Sequence, residues 1–343
     1  MACATPLTPA IWEVFSVSNN LLEVRDLRTS FMTEDGPAYA VDGLSFDLTA
    51  GETLAIVGES GCGKSVTSLS LLGLVPPPGR VSGGTAFYRG EDLLTKSEDA
   101  LRAIRGREIA MIFQEPVSAL NPALSVGRQL AESFIHKGQM SRKAAREQAE
   151  MLLSAVGIAD PGRVASSYPH QLSGGMCQRV CIAMALAEGP RVLIADEPTT
   201  SLDVTVQAQI LRLLAHLQRE TGAAVLLITH DLGVVARVAR RVLVMYMGEA
   251  VEYAPVSRAF KRTAHPYTEG LLASLPRLRG TPLPLPSIPG AVPPLGERMP
   301  GCRFAPRCYL ADGRCHSEHP ELVEAETGHF VRCFRHREVM AHG

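Results

Sequence analysis

Residues 53–74 read TLAIVGESGCGKSVTSLSLLGL, and the fold follows from how this stretch is parsed. Thr53–Val57 is a short apolar run. Gly58-Glu59-Ser60-Gly61-Cys62-Gly63-Lys64-Ser65 then has the spacing G-x-x-x-x-G-K-[ST]. Glycines let such a loop close around phosphates with successive backbone N–H groups pointing inward. The helix-forming stretch from Lys64 to Leu74 brings a positive N-terminal dipole to the same point. The expected nucleotide contacts are Gly58, Glu59, Ser60, Gly61, Cys62, Gly63, Lys64, Ser65 and Val66. Lys64 should reach the β- and γ-phosphates, and Ser65 should ligate Mg2+. Cys62 lies beside Lys64 near a helix N-terminus, surroundings that lower a thiol's pKa. It is therefore expected to be a reactive thiol that bound ATP protects from alkylation.

Strand, glycine loop and helix open an α/β core. Upstream, from Leu21, lie short β-rich runs punctuated by Gly and Asp (LLEVRDLRTSF, AVDGLSFDL). From about Ser125 to Leu186 the pattern is helical, with Ser141 as an N-cap for RKAAREQAEMLLSAV. Val192–Ala195 and Ala223–Ile228 are nearly continuous apolar runs, the mark of buried parallel strands. Val206–Leu217 between them has the apolar spacing of a crossover helix, and Arg241–Tyr246 extends the sheet. The first of these runs delivers Asp196-Glu197 to the carboxyl edge of the sheet, where ligands bind. Asp196 is expected to hold Mg2+, and Glu197 to polarise the water that attacks the γ-phosphate in line.

Composition sets the outer limits. The chain has 343 residues, 46% of them hydrophobic, which suits one large domain with a smaller appendix. With 34 Lys+Arg against 35 Asp+Glu, it has no electrostatic footprint for bulk nucleic-acid or anionic-membrane binding. No apolar stretch reaches the ~18–20 residues of a membrane-spanning helix. The N-terminus, MACATPLTPAIWEVF, lacks a basic region followed by a long apolar one, so secretion is not expected. The expected organisation is a leader over 1–20, an ATPase domain over 21–275 with a helical subdomain at about 115–187, a proline-rich linker over 276–300, and a Cys-rich tail over 301–343.

Leu172-Ser173-Gly174-Gly175-Met176-Cys177-Gln178-Arg179 precedes the Asp196 strand and is, locally, a second anion-friendly helix start. In combination with the rest it resembles the signature motif of ABC-family ATPases. The family's other elements stand in order: Gln114 after Ile109–Phe113 resembles the Q-loop glutamine, Ser201-Leu202-Asp203 the D-loop, and His230 the switch histidine at the γ-phosphate. The match covers about residues 21–260. The resemblance implies a P-loop NTPase fold of the ABC type, with a RecA-like core and mixed sheet, an antiparallel β subdomain and a helical signature subdomain. It also implies a head-to-tail dimer sandwiching two ATP molecules, with Ser173, Gly174 and Gly175 binding nucleotide in trans. Gln114 joins Ser65 and Asp196 around Mg2+, and Glu197, His230 and Gln114 form the catalytic set. Cys177 departs from the Arg common in related importers. Adenine needs a flat apolar partner; Phe31 matches that position best and Tyr39 is the runner-up, the competing reading of Phe31 being a core or edge-strand aromatic.

The tail carries Cys302, Cys308, Cys315 and Cys333 in the pattern C-x5-C-x6-C-x17-C. Four thiols this close point to a shared metal in a reducing compartment. Structural zinc normally shows a C-x2–4-C knuckle, which is missing here, whereas iron–sulfur clusters accept wider spacing. His316, His319 and His329 are expected to be surface or packing residues. The stretch HPYTEGLLAS, the proline linker and the tail together resemble the C-terminal extension of oligopeptide/dipeptide importer ATPases, members of which carry a [4Fe-4S] cluster on such cysteines; Zn2+ is the alternative.

The resemblance implies an ATPase on the cytoplasmic face of a bacterial membrane. Its partners would be two membrane permeases, an extracytoplasmic peptide-binding protein, and a second homologous ATPase subunit or another copy of itself. Importers of nickel or glutathione-like substrates are alternatives. So are a soluble ABC ATPase of DNA repair or translation, and an iron–sulfur redox protein that uses nucleotide as a switch. The repair and translation enzymes usually need paired ATPase halves, a long coiled coil or a basic face, and this sequence shows none of them.

Overall fold

The computed structural model of the protein describes residues 20–135, 140–200, 202–275, 286–297 and 299–342. The leader expected at 1–20 lies outside the described residues except for Asn20, which opens the first strand. Ser201 of the D-loop and residues 276–285 of the linker, with Arg298, also lie outside them. Residues 286–297 of the linker contain neither helix nor strand, as proline's missing N–H and fixed φ require.

In chain order the elements begin with β1 (Asn20–Thr33), β2 (Gly36–Thr49), β3 (Thr53–Val57), α1 (Lys64–Leu71), β4 (Gly79–Tyr88), β5 (Glu91–Asp92), α2 (Glu98–Ile104) and β6 (Ile109–Ile112). There follow α3 (Pro116–Ala119), α4 (Val126–Ile135), α5 (Arg142–Ala155), α6 (Pro161–Ser166), α7 (Gly174–Leu186), β7 (Val192–Asp196), α8 (Val204–Thr221) and β8 (Ala224–Ile228). The last are α9 (Leu232–Val238), β9 (Arg241–Tyr246), β10 (Glu249–Pro255), α10 (Val256–Ala259), α11 (Pro266–Ala273), α12 (Gly313–Ser317), β11 (Val323–Glu326), β12 (His329–Val331) and α13 (His336–His342). Two units result, one of residues up to 49, 54–94 and 231 onward, the other of residues 50–53 and 95–230.

In the first unit, β2, β1, β4 and β5 form an antiparallel sheet in that order, with Ser30 opposite Tyr39 and Phe31 opposite Ala38. The same unit holds a mixed run, β11-β12-β10-β9-β3, in which β9 is parallel to β3 and the other neighbours are antiparallel. Every residue of β3 is buried, so its sequence shows no polar alternation. Helix α1 stops at Leu71 instead of Leu74 because Gly73 turns to φ +62. There Leu74 N–H donates to Leu69 O and Gly73 N–H to Ser70 O, a glycine-terminated helix end that satisfies the last carbonyls.

The Cys-rich segment is built into this unit by strand pairing. Glu252 of β10 lies opposite Val331 of β12, and Tyr253 opposite Phe330. At the join Glu252, fully buried, accepts hydrogen bonds from Thr263 Oγ1 and from the Ala264 and His265 N–H groups. Its Oε1 also meets His329 Nε2 at 2.7 Å. Phe304, from the same segment, stacks edge-on against Tyr246 and tilts against Tyr267. Arg241 on β9 reaches Asp47 on β2 through two guanidinium–carboxylate contacts of 3.2 and 3.0 Å, a paired geometry that gives strength and direction.

In the second unit, β6, β7 and β8 are parallel, with Ile112 opposite Ala195 and Asp196 opposite Ile228. All residues of β7 and β8 are buried. Helix α8 is longer than the expected Val206–Leu217 because Asp203 caps it, accepting from Thr205 and Val206 N–H, and Gly222 ends it at φ +68. Helix α5 starts at the expected cap, where Ser141 Oγ accepts from Ala144 N–H. Its buried residues Ala145, Ala149 and Leu153 form one i, i+4, i+8 stripe.

Candidate nucleotide site

The phosphate loop joins β3 to α1 in the first unit. Gly58, Gly61 and Gly63 have φ of +155, +82 and +103. A Cβ on Gly58 would lie 2.3 Å from Met245 O, and one on Gly63 would lie 2.1 Å from Ala40 O. Glycine is therefore required twice over, by conformation and by close backbone approach. Lys64 is buried, and its Nζ donates to Gly58 O at 2.7 Å and Glu59 O at 2.9 Å. The ammonium is thus held folded over the loop by two carbonyls that phosphate oxygens would replace. Ser60 and Gly61 are exposed at the tip. Ser65 and Val66 follow in the first turn of α1, both half-buried.

Cys62 departs from the sequence expectation. Its side chain is buried, with Sγ 3.8 Å from Lys64 Nζ. Burial pushes the thiol's pKa up, and the pull of Lys64 in the other direction is the smaller effect. The helix start and neighbouring lysine were read correctly, but desolvation outweighs them. Burial and the raised pKa both oppose the reactivity expected of Cys62.

Three parallel strands of the second unit deliver the other group. β6 is followed by Gln114, β7 by Glu197 and β8 by His230. Glu197 Oε2 accepts from Gln114 Nε2 at 3.3 Å and from Thr200 Oγ1 at 2.7 Å. Its Oε1 lies 3.3 Å from His230 Nδ1. Glu197 leaves the strand in a left-handed conformation, φ +45, with its N–H donating to Ile228 O. That turn carries the side chain off the sheet edge instead of back into the sheet. Asp196, one residue earlier, is buried at the strand end. Thr200 was missed by sequence reasoning; its place three residues after Glu197, across one tight turn closed by Thr200 N–H to Glu197 O, was the available signal.

Ser173 caps α7, its Oγ accepting from Met176 N–H. Ser173 and Gly174 are exposed. Gly175 faces Val206, where a Cβ would come within 3.0 Å of Cγ1. Cys177 is fully buried, its Sγ turned toward Pro169 O, so this departure from the family pattern sits on the inner face of the helix. Phe31 lies against Val75 and Gly79, where a Cβ on Gly79 would meet Phe31 Cε1 at 2.5 Å. Tyr39 is exposed and lines one pocket with Gly61, Ala38 and Leu295.

Cys302, Cys308, Cys315 and Cys333 line a single narrow cavity together with His265, Phe304 and Phe334. Burial pushes all four thiols up, Cys302 to about 11 and Cys333 to about 12, and neighbouring thiols add to the rise at Cys302, Cys308 and Cys333. Among the described residues no group of three or more His, Cys, Asp or Glu side chains is placed to hold a single metal ion. His319 pairs with Glu249 and His329 with Glu252, so both are packing residues as expected.

The ABC transporter family description matches residues 41–200, and that of the oligopeptide/dipeptide transporter C-terminal region matches residues 251–315. The chain is 52% identical over 322 residues to the probable peptide ABC transporter ATP-binding protein y4tR of Sinorhizobium fredii, covering 93% of this chain and 96% of the relative. It is 51% identical over 315 residues to the dipeptide transport ATP-binding protein DppD of Bacillus subtilis, covering 92% and 94%. Among solved structures it is similar to the dimeric, ADP- and Pi-bound ATP-binding cassette MJ0796, with a TM-score of 0.62 and 29% identity over 68% of this chain and 98% of that one. A glycine loop closed on a buried lysine, three strand ends converging on one glutamate, and likeness along nearly the whole length agree: the chain belongs to the oligopeptide/dipeptide branch of the ABC transporter ATP-binding subunits.

Proposed function

We propose that this chain is the ATP-hydrolysing subunit of an importer for di- and oligopeptides, peripheral to the cytoplasmic face of a bacterial membrane. It would work with two permease subunits, an extracytoplasmic peptide-binding protein and a second ATPase of the same kind or another copy of itself. Among the described residues no helix is long and apolar enough to cross a membrane. The observation that carries the reading is the convergence of Gln114, Thr200 and His230 on Glu197.

Each residue then has a task. The loop amides and Lys64 hold the β- and γ-phosphates. Phe31 offers adenine a flat face, with Tyr39 as the alternative. Ser65, Gln114 and Asp196 offer a hydroxyl, an amide carbonyl and a carboxylate, an all-oxygen set that suits Mg2+. With its Nε2 directed at Glu197, Gln114 keeps its carbonyl oxygen for that ion. Held there, Mg2+ would neutralise the charge that develops on the phosphates. Glu197 takes the proton of the water that attacks the γ-phosphorus opposite the ADP leaving group, and His230 contacts the γ-phosphate. The exposed Ser173 and Gly174, with Gly175, serve the nucleotide of the partner subunit.

The four tail cysteines are proposed to hold a [4Fe-4S] cluster. A cluster takes its four thiolates at separate corners, which suits four thiols spread around one cavity. It would serve as a structural or electron-accepting centre.

The decisive experiment is expression with the neighbouring permease genes. Co-purification with integral membrane subunits, and ATP hydrolysis stimulated by peptide-loaded binding protein, are the expected results. A chain that hydrolyses ATP yet never associates with permeases would overturn the importer reading.

A further inference from the structure

Arg307 belongs to the Cys-rich segment, yet its side chain ends on the phosphate loop. It lies in the single turn Ala305–Arg307, between Cys302 and Cys308. That turn is tied by Ala305 N–H to Cys302 O and by Cys308 N–H to Ala305 O. Cys302 N–H in turn donates to Cys315 O. From this anchor the guanidinium makes a forked pair with Glu59, Nη1 to Oε2 at 2.7 Å and Nη2 to Oε1 at 3.0 Å. Its Nε donates to Pro289 O, and Nη1 approaches Tyr246 Oη. The side chain is only 4% exposed.

Glu59 is the second residue of the loop, and three separate groups hold it. Its carboxylate is taken by Arg307, its N–H donates to Tyr267 Oη at 2.8 Å, and its carbonyl accepts from Lys64 Nζ. A carboxylate in a loop built for anions opposes their binding by like-charge repulsion. Arg307 cancels that charge and fixes the backbone from which Lys64 must be released. A buried, forked arginine pair is strong and directional, so the position of the turn between the two cysteines is transmitted to the loop.

We propose that Arg307 is a positioning residue of the phosphate site, through which the cysteine-lined cavity sets nucleotide affinity. This rests on the nucleotide reading of the loop given above. The test is the affinity of the full chain, without partner subunits, for a fluorescent ATP analogue with Mg2+. Arg307→Gln should weaken binding by about 5- to 10-fold. Adding Glu59→Gln should recover the part of the loss that comes from the orphaned carboxylate and leave the part that comes from the lost fork. A merely misfolded variant would not be rescued in this way. If Arg307→Gln is too unstable to purify, Arg307→Lys, which keeps the charge and loses the fork, should show an intermediate loss. Cys308→Ser should weaken binding in the wild-type background and have no further effect in Arg307→Gln. Wild-type affinity in Arg307→Gln or Arg307→Lys overturns the proposal, as does failure of rescue by Glu59→Gln or an equal Cys308→Ser loss in both backgrounds. Lys64→Ala separates the two levels: undiminished affinity there would remove the nucleotide reading itself.

Discussion

Glu197 Oε1 and His230 Nδ1 face each other at 3.3 Å, with the carboxylate side chain 13% exposed and the imidazole 61% exposed. The parallel register that sets Asp196 opposite Ile228 brings the next residues of both strands to one edge. One partner is thus held by Thr200 and Gln114, while the other is exposed. Under the proposed function, a fixed base beside an exposed polar contact is the arrangement that in-line attack by water needs.

Glu197→Gln keeps the volume and removes the proposed base. Turnover should fall by about 10²–10⁴-fold while nucleotide affinity is retained, and an ATP-bound dimer should accumulate. Phosphate release and size-exclusion chromatography with ATP check this. Normal turnover would strip Glu197 of its role.

Thr200→Val deletes a 2.7 Å hydrogen bond to that carboxylate without changing side-chain size. A bond to a charged group is worth about 1.5–3 kcal/mol, so kcat should drop by about 10- to 100-fold. The affinity for the ATP analogue should stay at the wild-type value. A loss of affinity equal to the loss in kcat would show that Thr200 acts through folding of the loop instead.

Cys62 should resist alkylation at neutral pH. Its folded-state pKa lies above the ordinary thiol value, so the thiolate fraction is smaller than in a free cysteine at every pH below that range and grows only as pH rises through it. Peptide mapping after brief iodoacetamide treatment should find Cys62 unmodified in the folded chain and modified after denaturation. Rapid modification at pH 7 would contradict the buried placement.

His329→Ala leaves the Glu252 carboxylate buried without its imidazole partner. Removing one member of a buried ionisable pair costs about 3–5 kcal/mol, and the β10–β12 join should open first. Urea denaturation together with limited proteolysis checks this; early cleavage confined to the Cys-rich segment is the expected pattern.

Metal content tests the cysteine cavity. Anaerobically purified protein should contain about four iron atoms per chain and absorb in the visible, and Cys315→Ser should lose both signals. Stoichiometric zinc in a colourless protein would favour the single-ion alternative.

The chemistry of the loop was legible in the chain because it is local. A phosphate cradle needs glycines, lysine and hydroxyl at fixed offsets within one turn, and Gly58 to Ser65 carry them in order. The buried strands Val192–Asp196 and Ala224–Ile228 were equally plain, since strands covered on both faces cannot alternate. The fate of Cys62 was not legible. Whether a thiol beside a lysine is activated or silenced depends on burial, and burial is set by chain distant in sequence, such as Gly248, whose N–H donates to Cys62 O at 2.9 Å.

By itself the sequence determined the family, the order of the motifs and the residue types available for phosphate, magnesium and water, because those needs are met by neighbours along the chain. Tertiary structure alone decided which residues meet: Thr200 on Glu197, His329 on Glu252, and Arg307 reaching Glu59 across 248 positions. Such pairings depend on strand register and on where the Cys-rich segment joins β10. Both are settled by the summed burial of many side chains and by no single motif.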